Sequence, residues 1–183
     1  FIRQSEENYE DAHLNDNGMI LVKQSGKWAI LDQNLKNVTD FVFTDVAVNS
    51  KNQVFSGNYA VVADENGYFL IDQKGKACFE KRFPNAKGME GGYYAVADES
   101  GQWGFADEKG ELVVPCQYVD AYSFSNQTAA VQYAGKWGYI NRYGNMVIDA
   151  QFSTALPFLN GKAMVQDDQE NIKVLELRYF DTF

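Results

Sequence analysis

Histidine and cysteine are scarce in this 183-residue chain, which has one histidine and two cysteines. A Cys/His zinc site or a Ser-His-Asp triad needs more of these residues than His13, Cys78 and Cys116 supply. The cysteines also follow different local patterns, since Cys78 lies in an apolar strand pattern and Cys116 directly follows a proline. We therefore expect two free thiols rather than a disulfide framework.

Positive charge is scarce as well, because 16 lysines and arginines face 25 aspartates and glutamates, for a formal net charge of −9. No cluster of Lys and Arg interrupts the acidic residues, so the basic patch that a phosphate backbone requires is missing. Long hydrophobic runs are missing too, and residues 19–22 are far too few to span a bilayer. The sequence predicts no nucleic-acid partner and no direct membrane insertion.

What the chain does contain is a repeat. A strand-like motif with a leading aromatic recurs at residues 26–32, 66–72, 101–107 and 135–141. The leading aromatics lie 40, 35 and 34 residues apart and are Trp28, Tyr68, Trp103 and Trp137. A short tag, an aromatic followed two residues later by Asp, Asn or Thr, keeps the same spacings and begins at Phe43, Phe83, Tyr118 and Phe152. The unit is therefore about 34 residues long, with an insertion placed at Asn49–Gln53.

Short runs rich in Val, Ile, Tyr, Phe and Trp between turn residues predict β-strands. The glycine directly after the aromatic, at Gly104 and Gly138, predicts close approach by a neighbouring backbone or ring. The predicted fold is all-β, with tandem antiparallel β-hairpin repeats in an open superhelical or propeller-like array. We expect a single domain over residues 1–183, divided into a partial repeat 1–18, repeats at about 19–58, 59–92, 93–127 and 128–161, and a degenerate C-terminal cap at 162–183. Because the chain starts inside the pattern of an earlier repeat, we expect it to be part of a longer multidomain protein.

The copies Gly-Lys-Trp-Gly-Tyr-Ile-Asn at residues 135–141 and Gly-Gln-Trp-Gly-Phe-Ala-Asp at residues 101–107 resemble those of the WG-repeat (KWG repeat) family. The resemblance covers about Tyr9 to Leu175 and departs from the family pattern at Ala29 and at Tyr68-Phe69. It implies β-hairpin arrays that are common in bacteria, often attached to other domains or displayed at the cell surface, with ligand-binding or scaffolding roles. An extracytoplasmic or cell-surface location is thereby favoured over a cytoplasmic one, and no catalytic residue set is implied.

Turn residues follow each aromatic strand. Asp32, Asp72, Asp107 and Asn141 stand at equivalent positions, where stacked carboxylates would present oxygens to Ca²⁺ or, alternatively, start turns by accepting backbone N–H groups. We adopt the turn interpretation and expect no metal and no cofactor. The first of these turns lacks a glycine, so Asn34 is expected to be left-handed, and Asn66-Gly67 predicts a type I′ hairpin.

The in-phase aromatics Trp28, Tyr68, Trp103 and Trp137 are interpreted as core residues, with exposed platforms for sugar rings as the alternative. The off-phase tyrosines are the ligand-binding candidates, namely Tyr133, Tyr143 and Tyr122. The predicted function is a non-enzymatic module that binds or scaffolds a protein or a cell-surface polymer through an extended face of the array. A glycan-binding accessory domain with exposed aromatics is the alternative, and a hydrolase is the third possibility.

Replacing the tryptophan of the best-preserved copy tests the core interpretation. Trp137→Ala is expected to lower the free energy of unfolding by roughly 3–5 kcal/mol, as deletion of a large core aromatic does. Chemical denaturation measures the loss. A loss below about 1 kcal/mol with the fold intact would place the ring on the surface and favour the sugar-platform alternative.

Overall fold

The computed structural model describes residues 7–177, which form eighteen β-strands and no helix. In chain order the strands are β1 Asp11–Leu14, β2 Ile20–Gln24, β3 Lys27–Leu31, β4 Asp45–Ala47, β5 Phe55–Ser56, β6 Tyr59–Asp64, β7 Gly67–Asp72, β8 Asn85–Ala86, β9 Tyr93–Ala97, β10 Trp103–Asp107, β11 Leu112–Tyr118, β12 Asp120–Ala121, β13 Thr128–Tyr133, β14 Lys136–Asn141, β15 Met146–Phe152, β16 Thr154–Ala155, β17 Lys162–Gln166 and β18 Ile172–Glu176. The all-β prediction with tandem antiparallel hairpins is confirmed.

The strands make five antiparallel sheets, numbered here in chain order. Sheet 1 is β1-β2-β3, sheet 2 contains β4 to β7, sheet 3 is β8 to β11, sheet 4 is β12 to β15, and sheet 5 is β16-β17-β18. Each sheet opens with a short strand, and its longest pairing is the hairpin of the next strands, such as β13 with β14. The opening strand of each later sheet follows directly on the tag aromatic of the sheet before it. One stretch of about a repeat length therefore contributes to two neighbouring sheets.

Apolar side chains from facing sheets fill the spaces between them. Between sheets 1 and 2, Trp28 and Ile30 pack with Phe43, Val54 and Phe69. The largest fully buried side chains of the next three spaces are Tyr94 between sheets 2 and 3, Phe105 between sheets 3 and 4, and Tyr139 between sheets 4 and 5. Sheets 2, 3 and 4 are thus covered on both faces.

The glycine that follows the aromatic allows an outer strand to pair closely. A Cβ atom on Gly104 would lie 2.5 Å from the Val114 carbonyl oxygen, and one on Gly138 would lie 2.6 Å from that of Ile148. The facing strands β11 and β15 are continuous there and carry register shifts typical of β-bulges. The predicted close approach of a neighbouring backbone at these glycines is confirmed.

Where the sequence departs from the motif, the outer strand is interrupted. Ala29 and Phe69 occupy the glycine position in sheets 1 and 2. There the outer segments, residues 37–43 and 77–83, are not regular strands and meet β3 and β7 in isolated bridges. A Cβ atom at this position keeps the backbone of the outer segment at a distance, whereas a glycine allows it to approach, and this explains the difference.

The turns after the aromatic strands follow the predicted side-chain chemistry. The Asp72 carboxylate accepts the backbone N–H groups of Lys74 at 2.8 Å and Lys76 at 3.0 Å. The same pair of bonds recurs at Asp32, Asp107 and Asn141. The Lys36 amide is also the main cause of the lowered pKa of Asp32. The equivalent oxygens are therefore used to close turns.

Two local predictions were wrong. In the first turn Leu35, not Asn34, is left-handed, with φ 60°. Leu35 stands at the position of Gly75 and Gly110, so the geometry of the turn overrides the cost of a side chain there. The Asp64–Gly67 pairing also puts Glu65 and Asn66 at the centre of their turn, and neither has the positive φ of a type I′ turn.

Adding one methyl group at the strand glycine tests its role. Gly138→Ala is expected to cost about 1–3 kcal/mol of unfolding free energy, because the new Cβ meets backbone atoms of Ile148 and Ala150. Gly26→Ala is the control, since its Cβ meets no atom within 4 Å and its φ of 75° alone adds strain. Urea denaturation of both variants measures the difference. Equal losses would show that the close approach does not constrain the strand.

Candidate ligand-binding channel

The residue that follows the Ala or Val of each opening strand varies in chemistry from sheet to sheet. Ladder pairing makes Asp11, Asp45, Asn85, Asp120 and Thr154 equivalent, since each pairs with a residue near the end of the next long strand. Two residues further along stand His13, Ala47, Lys87, Tyr122 and Leu156. The five side chains differ in size, polarity and charge, whereas the residue before each is Ala or Val.

Four of these five variable residues meet at a single cavity of about 760 Å³, which we name the channel. They are Ala47, Lys87, Tyr122 and Leu156, from sheets 2 to 5. Apolar side chains that also line it include Val48, Phe158, Leu159 and Met164. Its volume lies within the roughly 300–1,000 Å³ range of small-ligand and side-chain pockets.

The ammonium group of Lys87 is the charge nearest the variable aromatic. It lies 2.8 Å from the Asp120 carboxylate, donates to the Ala121 carbonyl, and sits 4.7 Å from the ring centre of Trp103 and 4.9 Å from that of Tyr122. A carboxylate and two aromatic faces therefore compensate one cation. Because Asp120 belongs to sheet 4, Lys87 also links sheets 3 and 4.

The variable residues cover the repeat aromatics. His13 lies on Trp28 with ring centres 5.3 Å apart, and Tyr122 lies on Trp137 at 5.4 Å. Trp28 is 4% exposed and Trp137 is 9% exposed, and both belong to inter-sheet clusters. The other two repeat aromatics, Tyr68 and Trp103, are half-buried.

Tyr68 and Asp45 form a polar pair at the margin of the channel. The Tyr68 hydroxyl donates a hydrogen bond to the Asp45 carboxylate. Partial burial raises the pKa of Tyr68 to about 12, and the hydrogen bond and charge of Asp45 add to the rise. The phenol is therefore a neutral donor at physiological pH.

The three tyrosines predicted from the sequence do not come together. Tyr122 lines the channel, whereas Tyr133 is the last residue of β13, beside the turn before β14, and Tyr143 lies in the turn after β14. Six strand residues separate those turns by roughly 16–20 Å. Tyr133 is 53% exposed and lies against Tyr118, and Tyr143 is 78% exposed.

Sequence reasoning missed Lys87, Ala47 and Leu156 as channel residues. Each directly follows the Ala or Val of a tag, so aligning the copies shows that the three positions are equivalent. Within residues 7–177, no three His, Cys, Asp or Glu side chains are grouped to hold a metal ion. The same part of the chain has no helix long and apolar enough to cross a membrane.

Stacked antiparallel sheets, with one channel lined from sheets 2 to 5, define a β-propeller-like fold. Hsv2p of Kluyveromyces lactis is similar over 96% of this chain and 64% of its own, with a TM-score of 0.61 and 14% identity. The N-terminal domain of Nup159 gives a TM-score of 0.53 at 12% identity, over 94% of this chain and 59% of its own. A eukaryotic initiation factor gives 0.54 at 10%, over 95% and 54%. At such identities the likeness shows the fold alone, and the chain spans about two thirds of the length of Hsv2p.

The WG-containing repeat model matches residues 8–28, 103–137 and 137–170. These segments therefore carry WG-containing repeats, as the motif predicted. No curated protein matches it.

Removing the charge beside Tyr68 tests the electrostatics of the channel. Asp45→Asn is expected to lower the pKa of Tyr68 below about 12 but to leave it above its ordinary value of 10.0, because burial remains. NMR titration of ring-labelled tyrosine reads this pKa, with Asp149→Asn in the outer strand of sheet 4 as the control. Since the folded-state pKa is raised, the stabilisation from the protonated phenol is present below pH 10 and lost as pH rises toward about 12. An unchanged pKa would show that the pair does not form.

Proposed function

We propose that the protein is a non-enzymatic binding or scaffolding module that takes an extended segment of a partner protein into the channel. The observation that carries this proposal is the convergence of Ala47, Lys87, Tyr122 and Leu156, the variable position of four sheets, on one cavity. Every other patterned residue of the repeat is explained by strands, turns or inter-sheet packing. A position that differs between repeats and also lines a cavity is suited to contact a ligand.

The lining favours a protein segment with apolar side chains. Leu156, Leu159 and Met164 are 37%, 57% and 52% exposed, so a bound side chain would remove apolar surface from water. Each 100 Å² of apolar surface buried contributes roughly 2.5 kcal/mol before the costs of association. The polar groups at the margin, Lys87 and Asp45, already have hydrogen-bond partners that fix their orientation.

The scaffold holds these side chains in place before a ligand arrives. The opening strands pair with long strands that are buried on both faces in sheets 2 to 4, as the run Ala60–Ala63 of β6 shows. Lys87 joins sheet 3 to sheet 4, and the hydroxyl of Tyr139 in sheet 4 donates to the Leu156 carbonyl of sheet 5 at 2.8 Å. A site ordered in this way loses little conformational entropy on binding.

The acidic residues support a role without catalysis. Acids at the repeat turns, such as Asp72 and Asp107, direct an oxygen to backbone amides. Catalysis by carboxylates needs unlike groups that converge on one place with shifted pKa values. The carboxylate in the channel, Asp45, instead accepts the hydroxyl of Tyr68.

Peptide selection with a matched pair of variants tests the proposal. Peptides of random sequence displayed on phage are enriched on the wild-type protein, and the affinity of each selected peptide is measured by fluorescence anisotropy. Leu159→Asp places a charge in the channel and is expected to weaken binding about tenfold or more, the effect of losing a central apolar contact. Val119→Asp is the control, because Val119 is 62% exposed and lies in the connection between β11 and β12, away from the channel lining.

Equal binding by Leu159→Asp and wild type would place the interface elsewhere. Loss of binding in Tyr133→Ala or Tyr143→Ala would then assign it to one of the turns predicted from the sequence. Each selected peptide is also incubated with the protein and weighed by mass spectrometry. Cleavage of a peptide would contradict the non-enzymatic role.

A further inference from the structure

A second cavity lies at the ends of the loops that follow the opening strands. Its volume is about 600 Å³, and loops of sheets 1 to 4 contribute to its wall. We name it the loop cavity. It shares Asn49 with the channel, yet most of the residues that line it are polar, whereas the lining of the channel is mainly apolar.

Hydrogen bonds between successive repeats hold these loops in place. The side-chain oxygen of Asn15 accepts the N–H groups of Val54 at 2.9 Å and Phe55 at 2.8 Å, and the Asn17 amide donates to the Gly57 carbonyl at 3.1 Å. In sheet 4 the Ser125 hydroxyl donates to a sheet 5 carbonyl at 2.6 Å. Asn15 and Ser125 are buried, at 9% and 4% exposure. The wall of the loop cavity is therefore rigid, although loops form it.

The charges of the loop cavity balance. Asp16 and Glu90 contribute two negative charges, and Lys51 and Arg142 contribute two positive ones. In a chain with a net charge of −9, this neutrality is a local property. The cavity attracts neither phosphate nor a metal cation by net charge.

Two carboxamides line the loop cavity with their bonding capacity unused. No hydrogen bond within residues 7–177 involves the side chain of Gln53 or of Gln127. Gln127 is held by a tight turn in which Asn126 and Gln127 are both left-handed, with φ 49° and 66°. A carboxamide offers two donors and one acceptor oxygen in one plane, which matches adjacent hydroxyl groups that each donate and accept.

Tyr93 contributes an amphipathic side chain to the wall of the loop cavity. It is half-buried, its ring packs against Phe124 with centres 5.6 Å apart, and the Arg142 guanidinium lies 5.9 Å from its centre. An aromatic ring that is fixed in this way gives contact area to C–H groups at low cost in conformational entropy.

We propose that the loop cavity binds a neutral carbohydrate, a short oligosaccharide without charged substituents. The free carboxamides of Gln53 and Gln127 bind hydroxyl pairs, Tyr93 contacts the C–H face of a ring, and the balanced charges admit a ligand without charge. The site is separate from the channel, so either can exist without the other.

Calorimetric titration with defined tetrasaccharides tests the proposal. Cellotetraose, chitotetraose and xylotetraose are the neutral probes, and tetragalacturonate is the anionic one. At least one neutral probe is expected to bind saturably at millimolar concentration and more tightly than the anionic probe. Gln53→Ala combined with Gln127→Asn is expected to weaken that binding about tenfold or more, because the first change removes one carboxamide and the second draws the other back from the ligand by one methylene group. The Asn retains the preference for a left-handed turn.

Gln102→Ala is the matched control, since this exposed glutamine lies in the β9–β10 turn and not in the loop cavity. It is expected to bind as wild type does. Thermal melting checks the fold of every variant, and the single Gln53→Ala variant, whose backbone is unstrained, replaces the double variant if the latter melts early.

Three results would overturn the proposal. They are the absence of saturable binding by every neutral probe, preferential binding of tetragalacturonate, and wild-type affinity in the glutamine variants. None of these results bears on the peptide selection with Leu159→Asp, because the two cavities have different linings.

Discussion

The structure depends on sheets that are apolar on both faces and so cannot be stable alone. In β6 four consecutive residues, Ala60–Ala63, are buried, and because side chains alternate between faces, both faces must be covered. Burial of this kind is possible only when each sheet lies between two others. Folding energy is then shared between nearest neighbours, as in other repeat proteins. The opening strand strengthens this coupling, because it pairs within one sheet and begins two residues after the tag aromatic of the sheet before it.

Sheet 5 shows what the same constraint means at one side of the stack. Ala163 and Val165 of β17 are buried against sheet 4, whereas Met164 between them is 52% exposed and its partner Val174 is 64% exposed. Terminal repeats usually present a polar outer face. This face is mixed, because Lys162 and Glu176 flank the apolar pair. Sheet 5 therefore covers the core of sheet 4 on one face and keeps apolar surface exposed on its other face.

The sequence predicted the features that arise within one repeat. Strands, turn-closing acids such as Asp72, and the close backbone approach at Gly138 follow from local spacing and side-chain chemistry. It failed at Leu35, because a turn fixed by its Asp can impose φ 60° on a residue that disfavours it. The sequence also did not predict that Lys87, Tyr122 and Leu156 line one cavity. Their meeting depends on the angle between successive sheets, which no local pattern encodes.

Packing also explains why two cavities of unlike chemistry lie side by side. Along an opening strand one side chain, such as Ala121, enters the inter-sheet core, and the next, such as Tyr122, covers the repeat aromatic and reaches the channel. Contact with the core makes this part of the wall apolar. The chain then leaves the strand, and its backbone groups need partners that Asn15 and Ser125 provide. Polar residues are therefore required at the loop ends for folding. Only polar side chains that do not bond to these backbone groups, such as Gln53 and Gln127, are available to bind a ligand.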